Sequence, residues 1–385
     1  MGRRGVVVGL VLLLGVALAA LVLRPSEPRE VQASLIAPID EAPSSEGFAR
    51  AVDPEGMSFP DAFGPHPEYQ TEWWYYTGNV ETAEGRPFGY QFTIFRRSLR
   101  PDAPERASDF GTQSVYMAHF ALTDGAGGRF YASERFQRGA GGVAGAQAAP
   151  YAVWLDDWEV REVAPTRYEM RARGDEVAIE FTLEATKPPA RHGQNGLSQK
   201  SNEAGNASYY YSQTRLATRG TVTVQGERFA VEGASWKDHE YGTSALSADA
   251  VGWDWFSLQL SDGRELMYFQ IRTDGGGVEP ASSGSLILED GSVRPLVLGD
   301  VELQVLDRWQ SPATGGEYPA RWRLRVPSEA LDLTIEPLIA DQELRLSTVY
   351  WEGAVRVSGT AAGTPVTGRG YIELTGYAGD RAPSV

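Results

Sequence analysis

Short alternating runs dominate the chain from Phe59 onward. "YEMRARGDEVAIEFTLEAT" (Tyr168–Thr186) places apolar residues at alternate positions on both sides of Gly174-Asp175. That is the period of a strand with two unlike faces, folded back at a turn. "LQLSDGRELMYFQIR" (Leu258–Arg272) repeats the form around Asp262-Gly263, and "SLILEDGSVRPLVL" around Asp290-Gly291. No long amphipathic helical period follows the N-terminal segment. The pattern is therefore all-β, a sandwich or barrel of short strands.

The beginning of the chain is different. Val6–Leu23 is an unbroken apolar run behind Arg3 and Arg4. It reads either as a signal peptide cut after Ala17-Leu18-Ala19 or as an uncleaved hydrophobic helix, residues 1–24, with its basic end in the cytoplasm. Both place the remainder in the periplasm or outside the cell, anchored to the cytoplasmic membrane in the second case. Residues 25–58, rich in Pro, Glu, Ser and Ala, read as a disordered linker.

An internal repeat sets the number of domains. "WWYYTGNVETAEGRPFGYQFTIFR" from Trp73 and "WDWFSLQLSDGRELMYFQIR" from Trp253 each open on a Trp cluster, turn at Gly-Arg and return through aromatic-Gln to Arg. A closing hairpin recurs as well. Val222, Val224, Gly226, Val231, Gly233 and Trp236 match Val355, Val357, Gly359, Val366, Gly368 and Tyr371. Two similar β-domains in tandem follow, 59–245 and 246–385. In the first, strand alternation sends Trp73 and Tyr75 one way and Glu72, Trp74 and Tyr76 the other. Large aromatics on both faces make sense if one face lines a cavity and the other packs against the sister domain.

The net charge of −16 disfavours nucleic acid and anionic lipid as partners. The absence of cysteine excludes disulfides, thiolate catalysis and thiolate metal sites. There is no G-x-S-x-G, no P-loop and no HExxH, so a serine elbow, a nucleotide cofactor and a catalytic metal are not expected.

The most distinctive polar string is "WKDHEYG" (Trp236–Gly242). Alternation puts Trp236, Asp238 and Glu240 on one face and Lys237, His239 and Tyr241 on the other. Adjacent acids beside Trp repel, and one that keeps its proton near neutral pH is a general acid. The competing reading is a hydrogen-bonded cluster that pins the strand end. At the matching place in the second domain stand Glu373 and Leu374, so the fold closes without the histidine. His119, in "YMAHFAL", reads as a core histidine or a cavity residue, and His66 as part of a Pro-rich turn. "GQNGLSQKSNEAGNASYYYSQTRL" reads as a polar loop entering a Tyr-rich strand with Tyr210 and Tyr211. It is either solvated or a lid that swings Lys200 toward a ligand. Trp253 and Trp255 share a face, as core or cavity wall.

"FPDAFGPHPEYQTEWWYYTGN", "MAHFAL", "NASYYYSQTRL", "WKDHEYG", "GWDWFSLQLSDGRELMYFQIR", "YWEGAV" and "GYIELTGY" together resemble the AttH-like family of secreted lipocalin-like proteins, related to carotenoid 1,2-hydratase. The resemblance implies two tandem lipocalin-like barrels with a pocket near their interface. It also implies cofactor-free chemistry in which an acid protonates an alkene and water adds. The match makes Asp238 the candidate acid and His239 its orienting partner or the base for water, with Glu240 and Glu72 as assistants. Trp73, Trp74, Tyr75, Tyr76, His119, Lys200, Tyr210, Tyr211, Trp236, Trp253 and Trp255 would bind a small hydrophobic, lipid-, isoprenoid- or polyketide-like ligand. This sequence follows Asp-His with Glu240 and lies in the AttH-like branch, away from the carotenoid substrate. Fungal pericyclases of similar fold show the scaffold serving unrelated reactions. The rival expectation is a carrier for an apolar ligand, or an accessory of an export or envelope system.

Overall fold

The computed structural model describes residues 45–101, 111–243, 246, 247 and 249–378. The N-terminal apolar segment lies outside them. The strands form two antiparallel sheets, one of thirteen strands from Thr71 to Gly242 and one of ten from Ala250 to Leu374. Each curls into a lipocalin-like barrel. All three hairpins read from alternation are present: Arg167–Arg173 with Val177–Ala185, Ala250–Leu260 with Glu265–Thr273, and Ser283–Ile287 with Val293–Val297. Gly263 and Gly291 take φ of +83° and +84°, the left-handed conformation that these tight turns need and that side chains resist.

In the first sheet the aromatic strand Thr71–Glu81 lies between Pro87–Ser98 and the closing strand Glu227–Gly242. In the second, Ala250–Leu260 occupies the same place between Glu265–Thr273 and Thr364–Leu374. The registers agree on the closing strand itself, whereas the matches of Val222, Val224 and Gly226 to Val355, Val357 and Gly359 fail, because Gly233 faces Thr218 and Gly368 faces Val357. Trp236 faces Thr77, and Tyr371 faces Ser257. A Cβ on Gly233 would come 2.1 Å from the Asn79 carbonyl oxygen, and one on Gly368 2.5 Å from that of Gln259, so both closing strands need glycine at the same crossing. Arg96 and Arg272 are also equivalent, opposite Glu72 and Gly252. The two glutamines of the repeat are not: Gln91 faces Thr77 and Gln270 faces Asp254, because the second hairpin is shorter.

The two-faced aromatic strand is explained by this arrangement. Trp74 and Tyr76 join the core of the first barrel, where the Tyr76 and Tyr151 hydroxyls meet at 2.6 Å. Tyr75 and Trp73 face the second barrel and pack with Tyr210, Trp236, Trp255, Phe269 and Tyr371. Both faces are thus packed with buried side chains where the sequence suggested that one lines a cavity. The seam between barrels is fastened by Asn79 Nδ2 to the Gly370 carbonyl at 2.9 Å, and by Gln259 Nε2 to the carbonyls of Thr214 and Ser235 at 2.7 and 3.0 Å.

Residues 45–58, expected in a disordered linker, form part of a strap across one end of the first barrel. Ala51 and Met57 are buried with Ala62, Leu197, Tyr209, Tyr211 and Tyr241, and Tyr209 donates to the Asp53 carbonyl at 2.9 Å. Composition misleads here because a few apolar anchors suffice to dock a segment against a preformed apolar end.

Candidate active site

The closing strand Glu227–Gly242 distributes its polar residues by alternation. Asp238 and Glu240 face the seam; Lys237 and His239 face the interior of the first barrel. The Asp-His pairing implied by the resemblance therefore does not form. Neighbours on a strand point to opposite faces, and no bulge intervenes at this point.

In the seam, Asp238 accepts hydrogen bonds from Tyr210 (2.6 Å), Trp236 Nε1 (2.5 Å) and Ser212. Burial raises its pKa to about 7 and repulsion from Glu240 adds to the rise, against the three donors. Tyr210 in turn accepts from Trp255 Nε1 at 3.0 Å. Glu240 takes Ser208 Oγ and the Lys200 ammonium, the latter at 2.8 Å. The second barrel presents its own carboxyls. Glu373, on the closing strand at the position equivalent to Asp238, accepts from Trp253 Nε1 at 2.9 Å; burial, then repulsion from Asp238 and Glu240, raise it to about 8. Glu352 pairs beside Glu373 as Ser212 does beside Asp238. Its Oε2 accepts from Tyr75 at 2.8 Å, and burial followed by Glu373 raises it well above the carboxylate range. Tyr75 and Trp255 meet edge to face at 5.2 Å.

A histidine does serve Asp238, but it is His192. Its Nε2 lies 2.6 Å from Ser212 Oγ, the hydroxyl that donates to Asp238, and its Nδ1 lies 2.9 Å from Ser285 Oγ of the second barrel. Burial, then the nearby Lys200 charge, lower its pKa to about 3. The imidazole is thus neutral and donates to Ser212 through Nε2. With Glu352 and Glu373, this residue was missed by sequence reasoning. "KPPARHGQN" carries no catalytic spacing, and the link to Asp238 runs through a strand partner. The glutamates could have been found by extending the repeat to the second domain's own face.

On the inner face, His239 Nε2 lies 2.8 Å from Glu72 Oε1 and its Nδ1 lies 3.1 Å from the Tyr211 hydroxyl. Lys237 Nζ reaches the same hydroxyl at 3.2 Å and sits 4.2 Å from the centre of the Tyr151 ring. Burial lowers Lys237 to about 7. Glu72 also accepts from the backbone and ring of His66 and from Arg96 Nε at 2.8 Å. Burial opposes its charge, yet the bonds from His239 and His66 and the Arg96 guanidinium hold it far below the carboxylate range. His66, Glu72 and His239 offer ligand atoms within 4.8 Å of one another, a spacing that a metal could use. The donor chemistry does not fit one well, since Arg96 already occupies the carboxylate and repels a cation. What the cluster holds is the strap: Arg96 also donates to the carbonyls of His66 and Tyr69.

His119 lies elsewhere. It shares the outward row of Tyr75, two strands further on, but is spent on Tyr350 of the second barrel (2.7 Å) and Glu134 (3.2 Å). Trp74, Tyr76 and Tyr211 belong to the inner face, apart from the seam.

The sequence profile of the AttH-like family matches residues 50–377. The chain belongs to the AttH-like family. Among solved structures, this AttH-like chain is 35% identical to a protein described as an AttH, NE1406 of Nitrosomonas europaea, with a TM-score of 0.77 over 86% of this chain and all of that one. Kievitone hydratase of Nectria haematococca shares 16% identity at a TM-score of 0.62, over 86% of this chain and 96% of the hydratase. CghA, solved with Sch210972, shares 10% at 0.50, over 89% and 97%. The last two likenesses concern the fold. No curated protein matches the sequence.

Proposed function

We propose that this protein is an extracytoplasmic, hydratase- or hydrolase-type acid/base enzyme acting on a hydrophobic lipid-, isoprenoid- or polyketide-like molecule at the seam. The observation that carries this reading is Asp238: a carboxyl titrating near neutrality, oriented by Tyr210, Trp236 and Ser212, and buried among aromatics facing a second acid, Glu373. The hydratase fold of one solved neighbour and the family match support it, and the basic-then-apolar residues 1–24 support export.

The chemistry follows from the geometry. Protonated Asp238 gives its proton to an alkene carbon. The resulting cation is stabilised by the faces of Tyr75, Tyr210 and Trp255 and by neighbouring carboxylates. Water adds to the cation, and a carboxylate, Glu240 or the Asp238 that has just given up its proton, takes the proton that water loses. Ser212 and His192 keep the Asp238 carboxyl in place. For a hydrolysis, the same acid protonates the leaving oxygen instead.

A carrier is the second reading, one that does without water or proton transfer at Asp238. Asp238 is 3% exposed, and the gap beside Trp236 and Tyr371 holds only about 10 Å³. Incubating the protein with isoprenoid, lipid and polyketide extracts and weighing the products separates the two. A gain of one water, lost in Asp238→Asn, is the expected result. Retention of an unaltered ligand by both proteins would replace the enzyme with a carrier.

A further inference from the structure

Lys200 stands out in the seam. It lies on the short turn between Leu197–Gln199 and Ala207–Val224. Its ammonium sits 2.8 Å from Glu240, 3.3 Å from Ser198 Oγ, 4.5 Å from the centre of the Phe269 ring and 5.3 Å from that of Tyr210. Phe269 belongs to the second barrel and Tyr210 to the first, so the charge is boxed between the two. Aromatic faces combined with carboxylates are the surroundings that recognise organic ammonium groups.

The box is also richer in acid than one lysine can answer. Asp238, Glu240 and Glu352 are buried in the seam and Glu373 is partly buried beside Glu352; among the described residues Glu240 is the acid paired with the ammonium. Independently, Glu352 Oε1 is fully buried with no hydrogen-bond partner among the described residues, while Tyr75 holds the other oxygen. A buried carboxyl oxygen left unpaired is costly and calls for a polar or charged partner. The gap beside Trp236 admits no more than a water, so a larger ligand in the seam requires a side chain to move.

We propose that the seam is a binding site for an amphipathic organic cation, and that Lys200 is a tethered occupant which such a ligand displaces. The inference rests on the reading of the seam as the reacting site. It identifies where the positive charge of a protonated substrate resides and assigns the polar loop its role, a lysine that leaves as the ligand enters. Groups facing that charge are Glu240, Tyr210 and Phe269 at contact. Neutral His192 stands within electrostatic reach of it, and Glu373 from the second barrel within reach of Glu240.

The probe is benzyltrimethylammonium, titrated by tryptophan fluorescence and calorimetry against its uncharged carbon isostere, neopentylbenzene. The cation is expected to bind the full chain weakly and Lys200→Met at least about tenfold more tightly, with no such gain for the isostere. Exchange of one cation for another leaves the proton count of the wild type unchanged. Phe269→Leu, which removes a ring and no charge, is expected to weaken binding several-fold and serves if Lys200→Met misfolds. Equal binding of cation and isostere, or unchanged affinity in both variants, overturns the cation site. Turnover that survives Asp238→Asn overturns the enzyme reading instead, so the two failures are distinguishable.

Discussion

The two barrels present equivalent strands to each other and differ in what those strands carry. Along the outward row both are polar and aromatic: Tyr75, Asp238 and Ser212 in the first, Trp255, Glu373 and Glu352 in the second. Along the inward row the first has Trp74, Lys237 and His239, whereas the second has Ile372 and Leu374, with Asp254 answered by Arg272 at 3.1 Å. The row that both halves keep polar is the one that meets at the seam. A site assembled from both halves explains why each contributes an acid. The inner polar chain belongs to the first barrel alone, which is also the barrel that carries a strap to be held.

The sharpest way to break this division is Asp238→Asn. It removes the seam's acid while keeping its shape, and turnover is expected to fall by at least about 10²-fold with the melting temperature at neutral pH unchanged or higher. Glu72→Ala attacks the other row. It leaves Arg96 buried without a counter-charge and is expected to cost about 3–5 kcal/mol, read as a lower denaturation midpoint and as new proteolytic cleavage before residue 70. His239→Leu copies the second barrel into the first. The expected outcome is a milder loss, about 1–3 kcal/mol from one hydrogen bond lost to a buried carboxylate that His66 and Arg96 still hold, with seam turnover retained; loss of turnover would tie the two rows together.

The pH dependence comes next in size. Asp238 and Glu373 have folded pKa values raised to about 7 and about 8, above their unfolded values near 4. Their contribution to stability is thus full at pH 4 or below and is lost as pH climbs through 7 to 8. Melting curves between pH 5 and 9 should show this decline, and Glu373→Gln should flatten it. His192→Asn is the smallest change. It is expected to lower kcat about tenfold through a mispositioned Asp238, with KM held; an equal rise in KM would make His192 a binding residue.

Much of this comparison is visible in the chain. The Gly233/Gly368 and Trp236/Tyr371 matches survive as register because a strand crossing that admits only glycine is a local steric fact. Arg96 and Arg272 keep equivalent places at the far end of the hairpin, while Gln91 and Gln270 part because a hairpin can shorten without changing its strand pattern. Asp238 was legible from its acid neighbour and its tryptophan. His192 and Glu352 were not, since what matters about them is a partner on another strand: Ser212 for the one, Tyr75 for the other.

The sequence by itself determined two β-barrels, their order, and the face on which every residue of "WKDHEYG" lies, because period two is a property of the backbone. It also determined that the acids of that string would crowd. Tertiary structure alone decided that the inward aromatics are packed core where a cavity was expected, that His239 holds a strap while His192 serves the acid, and that Lys200 fills the seam. These are contacts between segments far apart in the chain. Such contacts are fixed by how two curved sheets meet, which no local pattern encodes.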